Sequence, residues 1–204
     1  MVAETDTGLR ATLRKLLPPM ARAWLVSQQR KHGLVWPPRG GVKFGDGRVD
    51  QPEILHVVAG NPDATIVADL TDAPHIPDDS FDCIIFTQSI QMIYDMGAAL
   101  TTLHRILKPG GVLLLTTAGL AKIGRRLGRD DWGEYWHLNS QSVEALARQY
   151  FPGAETTLFS YGNVLSATAF LHGLAIEELE PEELDYADPD FEVIVGARIR
   201  KALA

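Results

Sequence analysis

Cysteine is almost missing from this 204-residue chain: Cys83 stands alone, so no internal disulfide can form. The six histidines and that one cysteine show no spacing that would close a metal site, and His75, His104 and His172 are unpaired in sequence, so no metal is expected. No run approaches the roughly 18 to 20 apolar residues needed to cross a bilayer. The first residues, Met-Val-Ala-Glu-Thr-Asp, are acidic where a signal peptide would be basic. The expected location is therefore cytoplasmic, with no membrane span. An overall basic excess is missing too: 19 Lys and Arg face 26 Asp and Glu, which makes nucleic acid an unlikely partner for the chain as a whole.

What is present is ordinary for a soluble globular protein, with 46% hydrophobic and 22% charged residues. At this length one domain with a sizeable core is the default. The charge is unevenly spread: residues 1–50 hold nine Lys/Arg against four Asp/Glu, and residues 51–204 hold ten against twenty-two. Two readings of the basic N-terminal arm stay open. Either it contacts nucleic acid or membrane through Arg10, Arg14, Lys15 and Arg22, or it is solvated or docks on the acidic remainder of its own chain.

The spacing of Leu9, Leu13, Leu16, Leu17, Met20, Trp24, Leu25 and Val26 predicts two short helices joined at Pro18-Pro19. Trp36-Pro37-Pro38-Arg39-Gly40-Gly41 then reads as a linker, which gives an N-terminal helical segment over 1–38 and a main domain over 39–204. From Ile54 onward, short unalternating apolar runs look like strands of a parallel sheet buried on both faces. The runs are Ile54–Val58, Thr65–Ala68, Cys83–Phe86 and Val112–Thr117. Helices are predicted over 98–107, 140–150 and 164–179, with further strands over 156–160 and 191–199. Glu177–Glu192, with nine acidic residues and two prolines, reads as a solvated loop more readily than a cation site. Cys83, inside an apolar run, is expected to be packing only, and Asn163 to cap a helix rather than touch a substrate.

Two stretches are sharper. Leu107-Lys108-Pro109-Gly110-Gly111-Val112 turns a helix into a strand, and Pro77-Asp78-Asp79-Ser80-Phe81-Asp82 delivers another strand through a polar turn. In this order and at this spacing they resemble the class I S-adenosylmethionine-dependent methyltransferases, specifically a methyltransferase type 11-like domain. The resemblance covers about residues 54 to 199. It implies an α/β, Rossmann-like doubly wound sheet, mostly parallel with an antiparallel last strand, and cofactor at the carboxyl ends of the strands. It also implies methyl transfer from S-adenosylmethionine to a small-molecule acceptor.

Carried over residue by residue, the resemblance makes Asp69 the acceptor for the adenine amino group, with Leu70 beside it; the competing reading of Asp69 is a turn or helix cap. Thr87 and Gln88 match the loop facing the methionine part of the cofactor. The family's Gly-rich loop has one candidate here, Gly45 and Gly47 in Val42-Lys43-Phe44-Gly45-Asp46-Gly47. Only six residues separate it from the next strand, whereas a crossover needs at least about 10 to 12. Val58-Ala59-Gly60 stands where the ribose-binding acid would be. The chain thus reads as one short of the usual first strand and helix. The sheet edge so exposed suits a homodimer or partner chain.

Trp132, Tyr135 and Trp136 fall where the family places its acceptor wall, and they suit a sugar or natural product; packing as a lid is the alternative. Within that stretch His137 is the general-base candidate and Glu134 a weaker one. Two functions remain open at this stage: a methyltransferase, or a non-catalytic methyltransferase-like protein acting as a binding partner or regulatory subunit.

Overall fold

The computed structural model describes residues 42–44, 47–49, 53–124 and 133–203. The predicted N-terminal helices, the linker with its boundary at residue 38, and Trp132 lie outside the described residues.

Two short strands, β1 (Val42–Phe44) and β2 (Gly47–Val49), form an antiparallel pair. A second pair, β3 (Leu55–His56) and β4 (Ile66–Val67), is parallel. Both are shorter than the apolar runs that predicted them. Val58 N donates to His56 Nδ1 at 3.2 Å, so the chain leaves β3 almost at once.

The main sheet has four strands: β5 (Phe81–Thr87), β6 (Leu107–Ala118), β8 (Ile194–Arg200) and β7 (Glu155–Tyr161), hydrogen-bonded in that order. The first two are parallel, and β8 is antiparallel to both β6 and β7. Hence β5, β6 and β7 all end on the same side. The antiparallel last strand expected from the resemblance is present, inserted between β6 and β7. Among the described residues no strand pairs with the outer edge of β5 or of β3, as expected for a sheet short of its first strand.

Helices α1 (Met96–Ile106) and α2 (Ser140–Tyr150) cover one face of this sheet. Their caps are written in the sequence: Asp95 Oδ1 accepts from Ala98 N at 2.9 Å, and Asn139 with Ser142 forms a capping box. Ala99, Leu100, Leu103 and Ile106 of α1 and Val143, Ala147 and Phe151 of α2 are buried. They pack in one cluster with Leu113 and Leu115 of β6 and Val195, Ala197 and Ile199 of β8, the alternating inward set of two antiparallel neighbours. Burying each of the Val, Leu, Ile and Phe side chains among them contributes about 1.5 to 3 kcal/mol.

Several expectations are corrected. Leu107 begins β6 and does not end α1: the helix stops at Ile106, three residues ahead of Pro109, because a residue before proline is pushed to extended backbone and Lys201 Nζ takes up the carbonyls of His104 and Leu107 at 2.8 and 2.6 Å. The helix predicted to Leu179 ends at His172, since Gly173 adopts φ 75° and closes it; it is α3 (Val164–His172). The acidic stretch is not simply a loop. It holds a 3-10 turn at Ile176–Glu178 and the short helix α4 (Pro181–Asp185). Its last acid, Glu192, is buried, with Oε2 accepting from Ser140 N at 2.7 Å at the start of α2. Cys83 is exposed, on a strand with no outer neighbour among the described residues. No helix among the described residues is long and apolar enough to cross a membrane.

Candidate active site

The carboxyl ends of β5 and β6 meet in register, Thr87 opposite Thr116. Just past β5, Gln88 takes φ 48°, a left-handed backbone for a non-glycine residue that costs about 1 to 3 kcal/mol unless its surroundings hold it. They do hold it, because Gln88 N donates to Thr116 O at 2.8 Å. The next residues fold into a 3-10 turn, Ile90–Met92, and bury Gln91 at 2% exposure.

Gln91 is the junction of the site. Its Nε2 donates to Gln88 Oε1 at 2.9 Å, and its Oε1 accepts from the buried Thr117 hydroxyl at 3.3 Å. Its backbone carbonyl accepts from Tyr135 N at 2.8 Å and Trp136 N at 3.2 Å. One residue thus ties the loop after β5 to the segment after β6. A buried polar side chain satisfied on both ends fixes a unique arrangement of what it joins.

Beyond this junction lies an aromatic wall. Tyr94 meets Tyr135 edge-on at 5.4 Å between ring centroids and stacks on Trp136 at 6.0 Å, and all three are exposed. Trp136 Nε1 donates to the carbonyls of Ile93 and Tyr94 at 3.1 and 3.3 Å, which fixes the orientation of its ring. Next to it His137 Nε2 stands 3.5 Å from Glu134 Oε2, and the same Glu134 oxygen accepts from Gly124 N. The two catalytic candidates are therefore a pair, with the glutamate itself fixed by backbone.

Asp69 follows β4, exposed, with Leu70 buried beside it. Asp69 Oδ1 accepts from both Thr71 N and Thr71 Oγ1 at 2.8 Å, so the turn reading holds for one oxygen. Gly47 opens β2 and pairs with Phe44, so its segment joins strand to antiparallel strand, not strand to helix; Gly45 lies outside the described residues. Val58, Ala59 and Gly60 are exposed and offer no side-chain acceptor. Among the described residues no group of three or more His, Cys, Asp or Glu could hold a metal.

Gln91, Tyr94, Thr116 and Thr117 escaped the reading of the sequence. The signal for Gln91 was its place three residues after Gln88 within an otherwise apolar stretch, the distance at which one helical turn brings side chains together.

Residues 49–115 match a family model described as the methyltransferase domain. That stretch, which holds both of the motif segments read from the sequence, is therefore similar to a methyltransferase domain. Over 125 residues it is 27% identical to a malonyl-[acyl-carrier protein] O-methyltransferase of Yersinia pestis, covering 54% of this chain and 45% of that protein. Over 44 residues it is 43% identical to a ubiquinone/menaquinone biosynthesis C-methyltransferase of a Marinomonas species, covering 22% and 18%. The chain thus spans less than half the length of these curated relatives. An S-adenosylmethionine-dependent methyltransferase structure from Mesorhizobium loti is 18% identical, covers 96% of this chain and 99% of its own, and has a TM-score of 0.44.

Proposed function

We propose that the chain is an S-adenosylmethionine-dependent methyltransferase of a small-molecule acceptor carrying a sugar or aromatic ring. The observation that carries this reading is the junction at Gln91, which joins the loop at Gln88 to the exposed aromatic wall. When bound, the cofactor supplies an electrophilic methyl group. The described residues fit its two ends. Asp69 has a second carboxylate oxygen for the adenine amino group over Leu70, and Thr87 with Gln88 faces the methionine end. The acceptor ring lies against Tyr135 and Trp136, with Trp132 on the same stretch, and is held in line by the wall. His137 takes the proton from its nucleophile. Glu134, 3.5 Å from His137 Nε2, favours the imidazolium that this transfer forms.

Calorimetric titration with S-adenosylmethionine and S-adenosylhomocysteine tests this. Micromolar binding is expected, weakened by about 1 to 3 kcal/mol in Asp69→Ala, the usual cost of an unpaired polar partner. One observation favours a second reading, a non-catalytic methyltransferase-like binding partner: the strand position between β3 and β5 is empty among the described residues, and Val58–Gly60 offers nothing to a ribose. Absence of binding at millimolar cofactor decides for that reading. The open edge of β5 suits a strand of a second copy or of a partner chain, and a strict monomer by light scattering at every concentration removes the homodimer.

A further inference from the structure

The two glutamines just past β5 set each other's polarity. They meet amide to amide, Gln91 Nε2 donating to Gln88 Oε1 at 2.9 Å. Such a pair can bond oxygen to nitrogen either way round, because each amide carries both an acceptor and donors. Thr117 selects between the two. It is fully buried, and its hydroxyl donates to Gln91 Oε1 at 3.3 Å, the one hydrogen bond that hydroxyl makes among the described residues. Turning Gln91 around would make the threonine oxygen an acceptor and leave a buried proton with nothing to receive it, which is costly. Gln91 therefore faces Gln88 with its nitrogen, and Gln88 is held with Oε1 toward Gln91 and Nε2 toward Thr116. Gln88 N donates to Thr116 Oγ1 at 3.2 Å, and Gln88 Nε2 donates to the same oxygen at 3.5 Å. The backbone of Gln88 is already fixed in its left-handed turn, so rotation of the amide about its last bond, broad and roughly two-fold, decides which atom it offers. Gln91 removes that freedom.

We infer, on the methyltransferase reading of the chain, that Gln91 is a positioning residue that fixes the Gln88 amide as a donor, so that Gln88 binds the carboxylate of the cofactor's methionine end in preference to its ammonium. The preference follows from the atoms available. Gln88 Oε1 is occupied by Gln91, and Nε2 carries two hydrogens, of which the long bond to Thr116 takes one. Among the described residues the second N–H is left for a ligand. It suits an anionic oxygen, since a hydrogen bond to a charged acceptor is roughly twice as strong as a neutral one. An ammonium would need the oxygen, which faces Gln91. At 2% exposure Gln91 acts only through Gln88, and Thr117, one strand away, acts only through Gln91.

Calorimetric titration of the full chain with S-adenosylhomocysteine and with its decarboxylated form, which keeps the ammonium and lacks only the carboxylate, tests the inference. The native chain should bind the first at least about tenfold more tightly, as one hydrogen bond to a charged group requires. Gln91→Glu puts a carboxylate oxygen in place of Nε2 while Thr117 still donates to the other oxygen, so Gln88 must turn its nitrogen inward to meet it. The preference should fall by about tenfold, and affinity for the decarboxylated form should not fall. In a Gln88→Ala background the same substitution should leave the preference unchanged within about 1.5-fold, which separates turning the amide from adding a charge. Where circular dichroism shows that Gln91→Glu does not fold, Gln91→Leu, which frees the Gln88 amide instead of turning it, should lower the preference about threefold, again only when Gln88 is present. A preference that survives substitution of Gln91 overturns the inference, and so does a fall of equal size in the Gln88→Ala background. Equal binding of both compounds by the native chain also overturns it and leaves the methyltransferase reading standing, whereas binding of neither removes both.

Discussion

Replacing Gln91 with Leu keeps the volume and removes the amide, so it isolates the polar junction from the packing around it. In the native arrangement the side chain gives one bond to Gln88 and takes one from Thr117. Their losses differ. Gln88 is half-buried and its carbonyl can turn to water, whereas Thr117 is fully buried and keeps a hydroxyl with no acceptor there. An orphaned buried partner costs about 1 to 3 kcal/mol, and the long 3.3 Å bond places Thr117 in the lower half of that range. Losing the restraint on the left-handed Gln88 adds to it, while the apolar side chain recovers part. The expected net loss is about 2 kcal/mol, which for a chain of this length lowers the melting temperature by about 4 to 8 °C. The melt is read by far-ultraviolet circular dichroism. Trp136 fluorescence should change as well, because Gln91 holds Tyr135 and Trp136. A melting temperature within about 1 °C of the native protein, together with an unchanged emission spectrum, refutes the claim that this side chain organises the site.

Three further perturbations follow from the same bonding. Glu192→Gln removes the buried charge from the start of α2 and Glu192→Ala removes the acceptor altogether; losses of about 1 and about 2 kcal/mol in urea melts are expected, in that order. Arg105 donates to the carbonyls of Ile76 and Ala73 and to Asp78 at 2.6 to 2.7 Å, a planar fork that lysine cannot reproduce, so Arg105→Lys should destabilise measurably in the same assay. His104 packs edge-on against Phe151, and burial together with the Lys201 ammonium holds its pKa below the ordinary 6.5, against a smaller opposing effect of Asp79. The unfolded chain therefore binds the proton more readily. The His104 contribution to stability is intact above pH 6.5 and is lost as pH falls through the folded value, a slope that His104→Gln should flatten.

The sequence was most readable where apolar pattern and local chemistry agreed. The helix expected over 140–150 is α2 over its observed bounds, and the polar turn into β5 and the extended backbone of β6 were both signalled by their punctuation. It was least readable where tertiary contacts overrule a local pattern. The apolar residues after Val164 promised one long helix, but Gly173 is left-handed because its neighbours close the turn there. Cys83 sits in a run that looks doubly buried, and such a run cannot announce that the side chain is left exposed. The acidic stretch looked solvated, yet Glu192 turns inward to a helix start 52 residues earlier in the chain, a pairing no local window contains. In the site the same division holds. Asp69, Thr87, Gln88, Tyr135, Trp136 and His137 were named as candidates through resemblance and residue type. Gln91 joins Gln88 to Tyr135 and Trp136 in part through a backbone carbonyl, and no side-chain motif reports that.

The edge at β5 is open to direct chemical examination through Cys83. The residue is exposed, yet enough protein surrounds the sulfur for burial, and secondarily the Asp82 carboxylate, to raise its pKa above the usual 9.0. The thiolate is the reacting form, so a raised pKa slows alkylation while exposure permits it. Native protein should therefore be labelled to completion by iodoacetamide, more slowly than a free cysteine peptide, with a rate that keeps rising above pH 9.0. Asp82→Asn removes the nearby negative charge and should speed the reaction modestly at fixed pH. If a strand from a second copy or a partner lies along this edge, labelling will be suppressed in the assembled state and restored by dilution or partner removal. If labelling needs denaturant even in dilute monomer, the edge is covered from within the chain, and the strand position beside β5 is not open.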